Sequence, residues 1–281
     1  MMKARTLDDV ETFLEEASPL LLDDEPRHNL ILGLASTIRD APGLYPEPEF
    51  WVVHERGEAA AAALRTPPYN LVLARPRRDA ALDVLVAAVG GELPGVLGAV
   101  PEVDALAQRW SKRYGRSARL DQAMGLHVLE SVRPVPVPAG SVRAAAREDR
   151  ALLLDWWGAF GREALASEEQ DHARDARAVD HRLDDEHAGV VLWEDEGAPV
   201  SFAAYGGPTP NGIRVGPVYT PPALRGRGYA TALVAELSAR LLAQGRRFCF
   251  LYTDLANPTA NAIYERIGYV RVCDSKQLAF G

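Results

Sequence analysis

The fold is decided by one stretch, Ile213-Arg-Val-Gly-Pro-Val-Tyr-Thr-Pro-Pro-Ala-Leu-Arg-Gly-Arg-Gly-Tyr-Ala230. Its first part, up to Tyr219, is short, apolar and rich in β-favouring residues, which predicts a buried strand. Pro221 and Pro222 cannot donate to a sheet ladder and therefore end that strand. An apolar helical pattern begins after Gly228. The stretch thus predicts a strand, a glycine-rich turn and a helix.

A turn of this kind is suited to binding anions. Backbone N–H groups of the turn and of the first helical turn have no intrahelical partner, and the helix dipole favours negative charge at that end. Gly226 and Gly228 let the backbone approach a phosphate closely, while Arg225 and Arg227 add positive charge. We therefore predict a phosphate site here.

Two common phosphate-binding motifs fit this turn poorly. A P-loop needs Gly-Lys-Ser/Thr after the turn, and that triplet is missing from the sequence. A dinucleotide-binding fingerprint needs a third Gly or Ala at the right spacing and an acidic residue on the next strand. The plain alternative is a capped strand, turn and helix with two surface arginines.

A second segment, Arg247 to Tyr269, supports a ligand site. Phe248 to Thr253 is a continuous apolar run, which predicts a neighbouring buried parallel strand. In the helix that follows, Asn257 suits the N-cap, Pro258 the first helical position and Gly268 the C-terminal cap. Two ordered segments are more specific than either alone.

The spacing in both segments resembles the GNAT superfamily of N-acetyltransferases. The family's acetyl-coenzyme A (acetyl-CoA) signature is similar to Val-x-x-Val-x-Thr-Pro-Pro-x-x-Arg-Gly-x-Gly-x-Ala, which ends at Ala230. Its second signature is similar to Asn-x-x-Ala-x-x-x-Tyr-x-x-x-Gly-Tyr, which ends at Tyr269. The resemblance covers about Val215 to Tyr269 and implies acetyl transfer from acetyl-CoA to an amine.

The resemblance also implies roles for single residues. The turn from Arg225 to Ala230 wraps the coenzyme pyrophosphate, the strand from Val215 to Thr220 pairs with the pantetheine arm, and Asn257 helps to anchor the coenzyme. Tyr264 is the implied general acid for the departing thiolate, although a core tyrosine would fit the same helix. The full set of implied cofactor residues is Val218, Tyr219, Thr220, Arg225, Gly226, Arg227, Gly228, Tyr229, Ala230, Asn257 and Tyr264.

The general base and the acceptor site are less determined. Candidates for the base are Glu163, Glu168, Asp254, Tyr219 and Tyr252. Each carboxylate is better explained as a solvated side chain than as the base. In GNAT proteins the helices at this point wall the acceptor site, so Trp157 and Phe160 are predicted to line it. The alternative is that these aromatic residues belong to the hydrophobic core, which their helical spacing also allows.

The two halves of the chain carry the same order of predicted elements. A proline-rich linker, Arg133 to Gly140, separates them. We predict two tandem GNAT-like domains, 1–135 and 140–281, of α/β class with an α+β mixed sheet. The matching turn of the first half, Ala74 to Ala81, has no glycine, and a Cβ at each position blocks approach to a pyrophosphate. The first domain is therefore expected to be a degenerate copy without a cofactor site.

Composition narrows the class of protein. The 281 residues are 47% hydrophobic and 25% charged, as expected of a soluble globular protein. No apolar run approaches a membrane span. The net charge of −8 argues against nucleic acid as a partner, and no Cys/His cluster has metal-ligand spacing. Cys249 and Cys273 lie in predicted strands as free thiols. We expect a cytoplasmic monomer or homodimer without a metal.

Three hypotheses follow from these patterns. The leading one is an acetyl-CoA-dependent N-acetyltransferase in which a primary amine, on a small molecule, peptide or protein, attacks directly in a ternary complex. The second is a CoA-binding regulatory module with little turnover. The third is a structural or interaction protein on the same fold. Tyr264 favours the enzyme, because binding alone needs no acid there.

Overall fold

The computed structural model describes residues 1–164 and 171–281, which divide into two units. The first unit comprises Met1–Leu126 together with Arg271–Gly281, and the second comprises His127–Val270. Each unit has a mixed sheet with helices on both faces.

The first half of the chain contains ten elements. In chain order they are β1 (Met2–Leu7), α1 (Val10–Leu21), α2 (Asn29–Asp40), β2 (Glu49–Glu55), β3 (Glu58–Arg65), β4 (Leu71–Leu73), α3 (Ala81–Val89), β5 (Gly95–Ala99), α4 (Glu102–Tyr114) and β6 (Ala118–Leu129).

The second half repeats this order. Its elements are β7 (Ser141–Ala144), α5 (Arg150–Ala164), α6 (His172–Asp184), β8 (Gly189–Asp195), β9 (Ala198–Gly206), β10 (Gly212–Tyr219), α7 (Tyr229–Ala243), β11 (Phe248–Asp254), α8 (Pro258–Ile267) and β12 (Val270–Phe280).

The sheet of the first unit has the strand order β1-β2-β3-β4-β5-β12. Only β4 and β5 are parallel among these neighbours. Phe50 and Val52 of β2 pack with α1 and α2, whereas Trp51 and Val53 pack with α3 and α4. Because both faces are covered, the strand is a continuous apolar run in the sequence.

The sheet of the second unit has the order β11-β10-β9-β8-β7, with β10 and β11 parallel. One face packs against α5 and α6 through Leu153 and Val179. The other packs against α7 and α8 through Leu233 and Ile267. The glycine turn at the start of α7 thus lies at the edge of a rigid, fully packed layer.

The predicted α/β class with a mixed sheet and two repeated halves is confirmed. The observed units differ from the predicted domains at the C-terminal end. The last segment, Val270–Phe280, forms one strand. Ser275 pairs with Ala99 of β5, and Phe280 stacks on Trp110 with ring centres 3.9 Å apart. These contacts place the last strand in the first unit, so the second unit ends at Val270.

A strand before α1 was also missed. Met2–Leu7 pairs with β2 at the edge of the sheet, and most of its side chains are exposed or half-exposed. An edge strand of this kind lacks the apolar alternation that predicts strands. With β1 included, both halves begin with a strand followed by two helices. No described helix combines the length and apolar character that crossing a bilayer requires.

Candidate functional site

Strands β10 and β11 pair over only three residues each. Their parallel ladder joins Gly212–Arg214 to Phe248–Phe250, although β10 continues to Tyr219 and β11 to Asp254. Beyond Arg214 the facing edges of the two strands no longer bond to each other. Strand edges that lack a neighbour present backbone N–H and C=O groups to a ligand.

A β-bulge changes the direction of β10 at this point. Val215 pairs with Tyr205 of β9, but Val218 pairs with Ala203, so β10 has one extra residue. Gly216, inside the bulge, has φ of 137°. Val215 packs beneath α7, whereas Tyr219 packs on the opposite face against Trp156. The bulge therefore turns the end of β10 away from β11 and aims Tyr219 toward α5.

The glycine turn has the conformation that the sequence requires. Gly226 and Gly228 have φ of 78° and 87°, and Gly228 is the N-cap of α7. A Cβ built on either glycine would meet nothing within 4 Å. Both glycines are therefore explained by their positive φ, since a side chain at either position would not clash with the protein. No side chain of the described residues caps α7, so its first N–H groups are available to an anion.

Arg225 is held in place by three neighbours. Its Nε donates to the carbonyl oxygen of Thr220 at 2.8 Å, and its Nη2 lies 2.5 Å from Oε2 of Glu163. The guanidinium carbon is 5.6 Å from the centre of the Tyr219 ring. The Tyr219 hydroxyl donates to Oε1 of Glu163 at 3.1 Å. The structure thus brings together three residues that no sequence pattern links.

This cluster fixes the charge on Glu163. The hydrogen bond from Arg225 is the main cause that lowers the pKa of the Glu163 carboxyl. Burial is the main cause that raises the pKa of the Tyr219 phenol. At neutral pH the pair is therefore an ionised carboxylate and a neutral phenol, and both carboxylate oxygens already accept hydrogen bonds.

Tyr264 lies on α8 and is half-buried. Its ring meets Tyr269 edge to face at 5.9 Å. Burial raises the pKa of Tyr264 to about 12. The phenol therefore keeps its proton at neutral pH, as a general acid requires.

Asn257 and Asp254 stabilise the turn that leads into α8. The side-chain oxygen of Asn257 accepts a hydrogen bond from the Ala260 N–H at 3.0 Å, which confirms the predicted N-cap. Asp254 Oδ1 accepts one from the Ala256 N–H at 2.7 Å. One oxygen of the Asp254 carboxylate is therefore engaged within the turn.

The predicted acceptor residues lie in a packed aromatic layer. Trp157 stacks on Phe202 with ring centres 5.7 Å apart, and the guanidinium of Arg182 lies 5.0 Å from its ring. Phe160 is half-buried against the same cluster. Both aromatic residues pack in this cluster, and their place at the acceptor site stays a prediction. Glu168 lies outside the described residues.

Three polar residues beside the site were not singled out from the sequence. Ser201 Oγ donates to the carbonyl oxygen of Tyr219 at 3.0 Å and supports the end of β10. Thr253 and Asn261 have buried polar atoms without a partner among the described residues. In the sequence, such residues can be recognised only as polar side chains at inward positions of an apolar strand or helix.

Tyr229 begins α7 and is tied to the neighbouring hairpin. Its hydroxyl donates to the Asp195 carboxylate at the end of β8, and this bond is the main cause that raises the pKa of Tyr229. Arg227, two residues earlier, is exposed. Arg225 is exposed too, but it is paired with Glu163, whereas Arg227 contacts the Tyr229 hydroxyl.

The corresponding turn of the first unit is occupied by ion pairs. The Nε of Arg75 lies 3.5 Å from Oε1 of Glu102. The backbone N–H of Arg75 donates to Nε2 of the buried His28 at 3.0 Å. Arg77 lies 3.0 Å from Asp23. Among the described residues there is no cluster of His, Cys, Asp and Glu suited to a metal.

Comparison with known proteins identifies this arrangement. Residues 151–269 match the Acetyltransferase (GNAT) family. This segment is a GNAT acetyltransferase domain. The match includes the glycine turn and ends at Tyr269, where the second signature ends. The match supports acyltransferase activity with an acyl-CoA cosubstrate for this segment. The chain has no significant match among curated proteins.

Solved structures extend the likeness to the whole chain. A GCN5-related N-acetyltransferase from Sphaerobacter thermophilus is 22% identical, with a TM-score of 0.63, over 99% of this chain and 94% of that one. A Drosophila protein is 14% identical, with a TM-score of 0.68, over 99% and 98%. A tandem GNAT protein from the clavulanic acid biosynthesis pathway is 14% identical, with a TM-score of 0.59, over 100% and 98%. The fold is that of two GNAT-like units in tandem.

Proposed function

We propose that the second unit transfers the acetyl group of acetyl-CoA to a primary amine by direct attack in a ternary complex. The observation that carries this proposal is the early end of the β10–β11 ladder beside an uncapped glycine turn. An unpaired strand edge and a helix N-terminus match the two chemically different parts of the coenzyme, its amide-bearing arm and its phosphates.

The chain's own residues would hold the coenzyme as follows. The backbone of Val218 to Thr220 pairs with the pantetheine arm, and the N–H groups from Gly226 to Ala230 bind the pyrophosphate. Arg227, which contacts the Tyr229 hydroxyl, adds positive charge, whereas Arg225 is already paired with Glu163. Asn257 shapes the turn that faces the arm.

Catalysis needs a proton donor for the departing thiolate. The amine nitrogen forms a bond to the thioester carbon, the C–S bond breaks, and the Tyr264 hydroxyl gives its proton to sulfur. Backbone N–H groups near Val218 and Tyr219 stabilise the oxyanion that develops on the carbonyl oxygen. Neither cysteine takes part, because burial raises the pKa of Cys249 to about 12 and also raises that of Cys273.

The contacts of the two described carboxylate candidates argue against either of them as the base. Glu163 is ionised, but its lowered pKa makes it a weak base and both oxygens are engaged. Asp254 is engaged in its own turn. We assign Glu163 as a positioning residue for Tyr219 and Arg225, and water as the carrier of the ammonium proton.

The test is an assay of thiol release with acetyl-CoA and a panel of amines, polyamines, amino acids and peptides. A transferase releases CoA only when an acceptor amine is present, apart from slow hydrolysis. Binding of acetyl-CoA without release for any amine would support the regulatory module instead. Absence of binding would leave only a structural role.

A further inference from the structure

A groove lies between the proline-rich linker and the outer face of α7, within the second unit. We call it the linker groove. Its volume is about 530 Å³, which is in the range of small-molecule sites. Its floor is apolar and includes Trp193 of β8, Val135 of the linker and alanines of α7. None of the described residues that line it belongs to the glycine turn, so it is a different place from the proposed coenzyme site.

The linker is fixed at both ends of the groove. At one end the backbone N–H of Arg133 donates to the carbonyl oxygen of Ile267 at 2.8 Å. At the other end Nε1 of Trp193 donates to the carbonyl oxygen of Ala139 at 3.0 Å. Between these two bonds prolines alternate with valines, which holds the backbone extended. The linker therefore spans the groove as a stiff bridge.

Alanine residues keep the helix side of the groove open. Ala232, Ala235 and Ala239 line it and share one face of α7, because they are three and four residues apart. The opposite face of the same helix carries Leu233 and Leu237, which pack in the core. The helix is thus filled on the side of the sheet and leaves space on the side of the linker.

The charges at the rim do not cancel. Glu236 and Arg240 line the helix side and pair with each other, with Oε1 and Nε 3.0 Å apart. Arg133 lines the linker side. Its Nη1 lies 3.5 Å from the carbonyl oxygen of Glu265, and it forms no ion pair with the residues described. The rim therefore has one positive charge in excess, beside an apolar floor.

We propose that the linker groove binds a carboxylate with an apolar body, of the chemical class of a medium-chain fatty acid. The apolar body lies between the linker and the alanine face, where its removal from water is favourable. The carboxylate pairs with the guanidinium of Arg133 in charge-assisted hydrogen bonds. A cation would be repelled by the same arginine, so the groove selects for negative charge. This site does not depend on the proposed function.

Calorimetric titration of the full chain with decanoate tests the site. Decanol and decyltrimethylammonium have the same chain length and a different charge. Decanoate should bind once per chain. Decanol should bind about tenfold more weakly or less tightly still, since it lacks the bonds between two charged groups. The cation should not bind measurably. Saturating acetyl-CoA should leave the affinity for decanoate unchanged, because the groove is apart from the glycine turn.

Substitutions locate the binding. Ala239→Leu fills the groove from an exposed position, so this variant should melt like the parent protein and lose decanoate binding. Ala87→Leu is the matched control, because Ala87 is an exposed alanine of α3 in the first unit. Arg133→Gln should weaken decanoate binding about tenfold and leave decanol binding unchanged. Arg133→Lys keeps the charge and should bind decanoate more tightly than Arg133→Gln.

Four results would overturn the proposal. Equal affinities for decanoate and decanol would show that the groove has no anion site. Displacement of decanoate by acetyl-CoA would place the ligand at the coenzyme site instead. Decanoate binding that survives Ala239→Leu, or no binding to the parent protein, would show that the groove does not take a fatty acid. A parent dimer that Ala239→Leu converts to a monomer in sedimentation would make a second copy of the chain the occupant.

Discussion

Arg225 and Glu163 form an ion pair that joins the glycine turn to the end of α5. Tyr219 completes the link, because its hydroxyl donates to the same carboxylate. The end of β10, the glycine turn and the end of α5 thus share one cluster. Arg225 was predicted to bind phosphate, and Glu163 was a candidate for the base. In the structure the two are paired with each other.

Substitution of Glu163 separates a positioning residue from a base. Glu163→Gln keeps an acceptor for Tyr219 but loses the charge beside Arg225, so kcat/KM should fall about tenfold or less. Loss of a general base would cost a factor of about 10² to 10⁴. Since the pKa of Glu163 is lowered, the acidic limb of the pH–rate profile should be the same in parent and variant. Loss of that limb in the variant would identify Glu163 as the base.

Substitution of Gly228 tests the turn. Gly228→Val places a side chain where φ is 87° and where the pyrophosphate would lie. It should abolish acetyl-CoA binding and destabilise the fold by about 1 to 2 kcal/mol, the cost of a left-handed residue. Gly57→Val is the matched control, because Gly57 has φ of 91° and equally open space in the first unit. If calorimetry shows that both variants still bind acetyl-CoA, Gly228 serves the turn and is not needed for the coenzyme.

Substitution of Tyr264 tests the acid. Tyr264→Phe should lower kcat by about 10² to 10⁴ and change the dissociation constant of acetyl-CoA by less than about twofold, since the bond to sulfur forms only as the thioester breaks. Tyr114→Phe, which loses a hydroxyl bond to the Val86 carbonyl in the first unit, is the control. Equal turnover by the Tyr264 variant and the parent from neutral to alkaline pH would make Tyr264 a packing residue.

The buried His28 predicts acid sensitivity of the first unit. Its Nε2 accepts from the Arg75 N–H, so its Nδ1 carries the proton and donates to the Leu21 carbonyl oxygen at 2.8 Å. Burial lowers the pKa of His28 below 6.5. A lowered pKa gives stability that is present above pH 6.5 and is lost as the pH falls through the folded-state value.

The test is thermal unfolding between about pH 8 and pH 5. His28→Gln can still donate and accept but does not titrate, so its melting temperature should depend less on pH than that of the parent protein. His181 also has a pKa lowered by burial and is present in both proteins. Identical pH dependence of the two proteins would show that His28 does not contribute.

Local patterns predicted the features that neighbours in sequence determine. The strand, turn and helix around Gly228 and the capped helix after Asn257 follow from residue types a few positions apart. Pairing between distant segments could not be predicted in this way. The partner of β12 is β5, which is far away in sequence, and the residue pattern of β12 does not indicate which strand it pairs with. The same limit applies to the Glu163 cluster, whose members come from α5, β10 and the glycine turn.

Burial is the other quantity that the sequence did not reveal. The ring of Trp157 is stacked on Phe202, with the guanidinium of Arg182 5.0 Å from its centre, and its place at the acceptor site stays a prediction. Thr253 and Asn261 were passed over because an inward polar residue has no distinctive motif. Only the packed structure shows that their polar atoms lack partners.

The central claim is that the second unit binds acetyl-CoA at the glycine turn and the first unit does not. Calorimetric titration of the full chain with acetyl-CoA tests it most directly. We predict one site per chain, which Gly228→Val removes and Gly57→Val retains. Two sites per chain, or one site that persists in Gly228→Val, would contradict the account.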